Sequence, residues 1–292
     1  MSEVSALRSI LMVPGIRRDF MDKAAKAGAD ALVLDLEDSV PEASKPEART
    51  AVASHLAQAS GRLTFVRINH PALGQIASDL AVLAPHEAQA VMLSKVEGPR
   101  DLVEVDAWLS QFEQRTKLKP NAIGIVIMIE TAMGLRNMFD TLRSSSRIRG
   151  AALATAEEGD FINDIGGRWT PGAVALTYAR GKFVCDARAA GMSWLFDGAF
   201  MNLGDQQALE DEATLARVHG FNGKAAIHPR QVQIINKVFS PSAAEIERAQ
   251  KLIEAFRSAE KSGHGAIRFQ GMMVDYANVK RAEQILAIAA RT

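Results

Sequence analysis

The sequence predicts an α/β chain closed into a (β/α)8 barrel, followed by additional C-terminal helices. Eight apolar, β-branched runs of strand length alternate with helical segments through short connections. The chain has 292 residues, enough for a barrel, which commonly occupies about 250 residues as one domain. Several of the runs stop at a charged residue, where parallel α/β folds place their chemistry. An open doubly wound sheet is the alternative allowed by the same alternation.

The first run, Ser9 to Val13, is followed by Pro14-Gly15 and a helix with Phe20, Ala24 and Ala27 on one face, stopped by Gly28. The second begins at Ala31 and gives way to three acids, Asp35, Glu37 and Asp38. Ser44-Lys45-Pro46-Glu47 then has the pattern of a capping box opening a helix. The third run, Leu63 to Asn69, contains Arg67, which is costly in such a setting without an anionic partner. Arg67 is therefore a candidate for gripping a substrate carboxylate, or else a structural partner of Asp35 or Glu37. The fourth, Ala88 to Lys95, ends in a cation, and the fifth, Asn121 to Ile129, stops at Glu130. The sixth, Ile148 to Thr155, leads into Glu157-Glu158-Gly159-Asp160. The seventh is Met192 to Asp197 and the eighth starts at Gly223, with helices expected over roughly 173–190 and 206–219 between them.

The barrel is expected over residues 1–240. A helical extension over 241–292 would cover its own barrel or a neighbouring subunit. Ser242-Ala-Ala-Glu245 is a second capping box, followed by a stripe of Ile246, Ala249, Ile253 and Phe256 and, after a glycine-bearing stretch, a last apolar-faced helix.

Composition excludes some function classes. The 34 basic and 34 acidic residues cancel, so no net field favours nucleic acid or an anionic membrane. The apolar runs fall well short of the roughly 20 residues needed to cross a bilayer, and Pro14-Gly15 cuts the first too early for a secretory signal. A cytoplasmic location is the expectation. The one cysteine, Cys185, allows no internal disulfide and is expected to pack within a helix.

In a barrel, the C-terminal mouth would collect Asp35, Glu37, Asp38, Arg67, Lys95, Glu130, Asp160 and Asp197. Glu130 and Asp160 would repel each other unless a cation lay between them. Oxygen ligands without a nearby cysteine or suitably spaced histidine favour Mg²⁺, or Mn²⁺, over Zn²⁺. Such a centre beside an arginine suits a 2-oxo or hydroxy acid and aldol or Claisen chemistry, in which an enolate or alkoxide develops. Lys95 raises a Schiff-base alternative, opposed by the acids that would keep it protonated. His55, His70, His86, His219 and His264 are expected at surface or packing positions. His228 follows a strand and could serve the mouth or the scaffold. No glycine pattern marks a phosphate loop.

Five separated motifs, Arg8-Ser-Ile-Leu-Met-Val-Pro-Gly15, Leu34-Asp-Leu-Glu-Asp38, Val66-Arg-Ile-Asn69, Ile129-Glu-Thr131 and Gly220-Phe-Asn-Gly-Lys-Ala-Ala-Ile-His-Pro229, resemble the citrate lyase beta subunit-like branch of the HpcH/HpaI aldolase family. The similarity runs in order from about residue 8 to residue 290. It implies a TIM barrel, usually a trimer or a dimer of trimers. It also implies Mg²⁺-dependent cleavage or formation of 3-hydroxyacyl-CoA thioesters such as citramalyl-CoA or malyl-CoA, yielding a 2-oxo acid and an acyl-CoA. Alternatives are a metal-dependent aldolase of free 4-hydroxy-2-oxo acids and a non-catalytic lyase-complex subunit. By the resemblance, Glu130 and Asp160 match metal ligands, Arg67 the carboxylate grip, and Glu37 and Asp38 the acids that hold metal-bound waters and Arg67. Arg17 and Lys23 match basic positions near the CoA phosphates, and Lys95 the lysine ending the fourth strand. Asp275 matches an acid that acts in proton transfer at a neighbouring subunit's site. Three positions depart from the pattern: Gly159 stands where relatives often have glutamate, Ser94 where they usually have proline, and Asp19 where a second basic residue is common.

Overall fold

Eight strands pair in sequence order, each parallel to the next: β1 (Ser9–Pro14), β2 (Ala31–Asp35), β3 (Thr64–Ile68), β4 (Ala90–Leu93), β5 (Gly124–Ile129), β6 (Ile148–Leu153), β7 (Trp194–Asp197) and β8 (Gly223–Ala226). β8 pairs back onto β1, so the sheet is a closed barrel and the open-sheet alternative is overturned. The computed structural model describes residues 7–58, 63–83 and 90–290, so Ala88 and Gln89 of the expected fourth run lie outside the described residues. The chain divides into two compact units, one over Leu7–Lys237 and one beginning at Val238.

The barrel strands are covered on both sides, which is why they read as continuous apolar runs. Side chains alternate inward and outward along each strand. Ile10, Val33, Phe65, Met92, Val126 and Phe196 fill the interior with the smaller Ala31, Ala90, Ala152 and Ala225 between them. This mixture of sizes lets layers from different strands interdigitate. The helices after the strands are α1 (Arg18–Ala24), α2 (Lys45–Leu56), α3 (Ile76–Leu80), α4 (Arg100–Thr116), α5 (Ala132–Arg143), α6 (Asp160–Asp164), α7 (Thr177–Ala189), α8 (Gln206–His219) and α9 (Pro229–Phe239). The helix expected from residue 173 starts as a 3-10 turn, Val174–Leu176. Among the described residues no helix is long and apolar enough to cross a membrane.

Two local expectations are corrected. Ser44 forms no capping box, because it ends a 3-10 turn (Glu42–Ser44) with helical φ/ψ of −98°/−4° and cannot turn its hydroxyl back onto the first α2 amides. Cys185 is exposed on α7 and does not pack; Ala179, Arg180, Phe183 and Ala187 supply that helix's buried face.

The second unit consists of α10 (Ala243–Lys261), a hairpin of β9 (Ile267–Phe269) and β10 (Met272–Val274), and α11 (Tyr276–Ala289). The capping box at Ser242 and Glu245 is formed. Ala249, Leu252, Ile253 and Phe256 pack with Val274 and Ala282 into this unit's own core. The hairpin turns on Gln270 and Gly271, both at positive φ (46° and 84°), the conformation that a two-residue turn of matching twist requires.

Asp197 does not reach the mouth. Phe196 faces the interior, so its neighbour Asp197 points outward, beneath α7 and α8. There it accepts from Arg180 twice (both 3.0 Å) and from Lys224 Nζ (2.7 Å), all fully buried, while Glu212 takes a further Arg180 bond at 2.9 Å. Burial opposes ionisation, yet Lys224 and Arg180 together hold the Asp197 carboxyl below its ordinary value. Breaking such a set by removing one member leaves uncompensated buried charge. Asp197→Asn should therefore lose about 3–5 kcal/mol in urea unfolding at neutral pH. A depressed carboxylate stabilises the fold above its unfolded pKa, near 4, and loses that contribution as pH falls through the lower folded value. The gap between wild type and variant should accordingly narrow below about pH 4; a gap that widens in acid would contradict the assignment.

Candidate active site

The mouth is built on a register match. Asp35 at the end of β2 lies opposite Arg67 on β3, and both face inward, two residues beyond Val33 and Phe65. The Arg67 guanidinium forks onto Asp35, with Nε and Nη2 each 2.6 Å from a carboxylate oxygen. Its Nη1 is 3.1 Å from Glu37 Oε2 and 3.7 Å from Asp38 Oδ2. The structural-partner alternative for Arg67 is thus realised with both named acids. Burial of Asp35 favours its neutral form, but Arg67 outweighs this and the carboxyl is lowered; Arg67 in turn is raised.

Asp35 also shapes the loop that follows. It accepts from the backbone N–H groups of Glu37 (2.9 Å) and Ser39 (3.1 Å) and from the Ser39 hydroxyl. From below, the buried Lys45 ammonium donates to the carbonyls of Leu36 (3.0 Å) and Glu37 (3.3 Å) and to Asn69 Oδ1 (2.6 Å). Asn69 is itself held by Asp79 through its N–H and its side-chain amide, both at 2.8 Å. These partners set where Glu37 and Asp38 point.

Glu130 sits immediately after β5, 3% exposed, where burial and then the nearby Glu37 raise its pKa to about 8. Asp160 opens α6 with its side chain 54% exposed. Gly159 before it is extended (φ −76°, ψ 170°), so its backbone conformation demands no glycine, although a Cβ there would come within 3.0 Å of the Ala156 carbonyl oxygen; the unusual backbone belongs to Glu158, at φ 56°. Asp38, Glu130 and Asp160 each offer a carboxylate oxygen, and these three atoms lie within 4.8 Å of one another. Lys95 donates to Glu37 at 2.6 Å and to Asp38 at 2.8 Å and lies 3.8 Å from Asp160. Burial and its hydrogen bond with Asp38 raise Glu37, whereas Asp38, against its own burial, is lowered by Glu37 and Lys95. Lys95 is pushed above its ordinary value despite partial burial, first by Asp38 and Glu37, so it is a poor imine-forming nucleophile.

The cluster opens into a cleft of about 950 Å³ lined by Glu37, Asp38, Glu42, Glu97, Asp101, Glu130, Asp160 and Asp164, with Lys45 and Lys95 as its lysines. Such an excess of acid cannot receive an anionic ligand without added positive charge. A divalent ion fits the donor set: three converging carboxylate oxygens, with no sulfur or imidazole in the cluster. Sequence reading missed Lys45, which the capping-box pattern disguised, and His70, which lines the cleft, caps the 3-10 turn Pro71–Leu73 and lies 3.6 Å from Asp101. His228 serves the scaffold by accepting the Arg230 N–H.

Two of the remaining candidates stand apart from the cluster. Arg17 and Lys23, at the start and end of α1, are exposed; Arg17 is paired with Asp19 and lies 3.7 Å over the Phe20 ring, and Lys23 is 3.7 Å from the same aspartate. Neither lines the cleft. Asp275, in the second unit, is exposed and caps α11 by accepting the Ala277 N–H at 2.9 Å.

The family profile described as HpcH/HpaI aldolase/citrate lyase matches residues 8–229, and one described as a C-C bond lyase of the TIM-barrel fold matches residues 183–291. A citrate lyase subunit beta-like protein from Deinococcus radiodurans is 33% identical over 287 residues, 96% of each chain. A (3S)-malyl-CoA thioesterase from Cereibacter sphaeroides is 34% identical over 284 residues, 97% of this chain and 94% of the relative. The crystal structure of protein CitE from Mycobacterium tuberculosis in complex with magnesium, acetoacetate and coenzyme A superposes with a TM-score of 0.79 at 29% identity, covering 98% of each chain.

The raised Glu130 carboxyl has a cost in the ion-free protein. Between its unfolded pKa, near 4.3, and about 8, the folded state binds the extra proton, so stability falls as pH rises. Glu130→Gln removes that loss. In EDTA at pH 8 the variant should be more stable than wild type by roughly 2–4 kcal/mol, with little difference at pH 4. Urea unfolding at the two pH values checks this, and an equal offset at both would contradict it.

Proposed function

The chain belongs to the HpcH/HpaI aldolase/citrate lyase family, and on that premise we propose that it is a Mg²⁺-dependent carbon–carbon lyase of 3-hydroxyacyl-CoA thioesters such as citramalyl-CoA or malyl-CoA. The products are a 2-oxo acid, pyruvate or glyoxylate, and an acyl-CoA. The observation that carries this reading is the convergence of Asp38, Glu130 and Asp160 within 4.8 Å of one another beside Arg67. The magnesium, acetoacetate and coenzyme A of the CitE complex support it.

Glu130 and Asp160 hold the ion, with Asp38 completing the carboxylate face; Mn²⁺ suits the same oxygens. When bound, the ion supplies Lewis-acid stabilisation of negative charge on a substrate oxygen. Arg67 holds the substrate carboxylate through Nη1 while Nε and Nη2 stay on Asp35, so the grip is aimed without rebuilding the buried pair. The bond between the hydroxyl-bearing carbon and the thioester α-carbon breaks, the hydroxyl becomes the keto group, and the α-carbon takes a proton. Glu37, with its carboxyl raised, is suited to accept the hydroxyl proton. Asp275 is the proposed donor to the α-carbon, supplied by a neighbouring subunit of a homotrimer or hexamer. Arg17 and Lys23 are the proposed contacts for the CoA phosphates, with Asp19 as their competitor.

The (3S)-malyl-CoA thioesterase relative gives hydrolysis a specific claim as a second reading, in which the thioester is cut to the free acid. Incubation with Mg²⁺ and a panel of 3-hydroxyacyl-CoA thioesters, with products identified by mass, separates the two. The expected products are a 2-oxo acid and an acyl-CoA, and turnover should stop in EDTA. Asp160→Asn should lower kcat by about 10³-fold, with folding retained. Full activity in EDTA, or cleavage of free 4-hydroxy-2-oxo acids in preference to the thioesters, would overturn the proposal.

A further inference from the structure

Lys95 is the residue at which the acids of the mouth meet. It follows β4 in a left-handed backbone conformation, φ 56°, which a non-glycine residue keeps only when its surroundings hold it there. The restraints are visible: its N–H donates to Glu130 Oε1 at 3.2 Å, and the preceding Ser94, fully buried, donates its hydroxyl to the Ile68 carbonyl at 3.3 Å. From this fixed base the ammonium reaches Glu37 and Asp38 at 2.6 and 2.8 Å and approaches Asp160 to 3.8 Å.

Asp38 and Asp160 also belong to the three-carboxylate cluster. A Mg²⁺ ion held there would draw on carboxylates that the ammonium now faces and bring two positive charges close to it. The two cations compete for one nest. We propose that the Lys95 ammonium is the resident counter-cation of this centre, seated among the acids while no divalent ion is bound and displaced into the cleft when one binds. The inference rests on the ion-binding reading of the cluster given above.

The exchange requires only side-chain rotation. Lys95 has a flexible four-carbon stem, its side chain is 38% exposed, and it already lines the cleft. One lysine thereby has two places of work. In the ion-free protein it relieves repulsion among Glu37, Asp38 and Asp160; in the loaded protein it offers an unshared ammonium to an anionic substrate. The order of binding follows, with the ion entering first and the anion second.

Pulsed acylation of lysine amines with acetic anhydride, read by peptide mass spectrometry, measures the displacement in the wild-type protein. Mg²⁺ should raise labelling at Lys95 several-fold over EDTA, while the exposed Lys251 is unchanged. In parallel, Mn²⁺ titration followed by electron paramagnetic resonance should show Lys95→Met binding roughly tenfold tighter or more, because the competing charge is gone. The same variant should melt below wild type in EDTA and recover with saturating Mg²⁺. If Mn²⁺ binds the wild type but Lys95 labelling does not rise, or Lys95→Met binds no tighter, the displacement is wrong and the ion site stands. If Mn²⁺ binds neither protein, the ion-binding reading falls together with the displacement.

Discussion

The buried pair of Arg67 and Asp35 is the constraint on which the mouth depends. Because the two residues are ladder partners on adjacent strands, the register that closes the barrel also brings their charges together. Once paired, Asp35 has lone pairs left over, and they accept the N–H groups of Glu37 and Ser39, holding the chain after β2 where Glu37 and Asp38 line the cleft. Arg67 then meets one of those acids, Glu37, with its remaining nitrogen. A single strand-to-strand contact therefore fixes the positions of four charged groups. Lys45, Asn69 and Asp79 brace the same loop from beneath with neutral and charged hydrogen bonds.

The chain contains a useful contrast in how buried charge is handled. Around Asp197, two cations and two acids form a set balanced in charge, away from the cleft. At the mouth, acids outnumber fixed cations, and the Glu130 carboxyl is raised first by burial and then by the nearby Glu37. The first arrangement joins β7 and β8 to the helices outside them. The second keeps an imbalance that something from solution must correct, which is the physical signature of a binding centre rather than of a scaffold.

Much of this was legible in the residues. The eight runs, their order and the charged ends at Asp35, Lys95 and Glu130 follow from apolar, β-branched character and its abrupt interruption. What the sequence could not reveal was parity. Trp194-Leu-Phe-Asp197 is apolar on both faces, as parallel barrel strands are, so nothing in the run tells whether its terminal acid looks inward or outward. Lys45 was hidden differently: it lies inside a pattern that normally caps a helix, and only the preceding 3-10 turn shows that Ser44 cannot do so. The hairpin in the second unit had a signal, Gln270-Gly271 between two short apolar runs, that was too brief to stand out from a glycine-bearing loop.

The short helix α6 has a consequence of its own. Asp160 stands at its first residue and Asp164 at its last, and the Asp164 carboxylate accepts the N–H of Ala132, two residues after Glu130, at 2.7 Å. Glu130 and Asp160 are thus the two tips of a caliper whose hinge is pinned by that bond. The spacing of Asp160 and Asp164 along the chain acts as a gauge block, converting one turn of helix into the gap between two carboxylates. The gap between two members of the three-carboxylate cluster is consequently tied to a residue outside it, and lengthening or shortening the chain at this turn would shift Asp160 against Glu130.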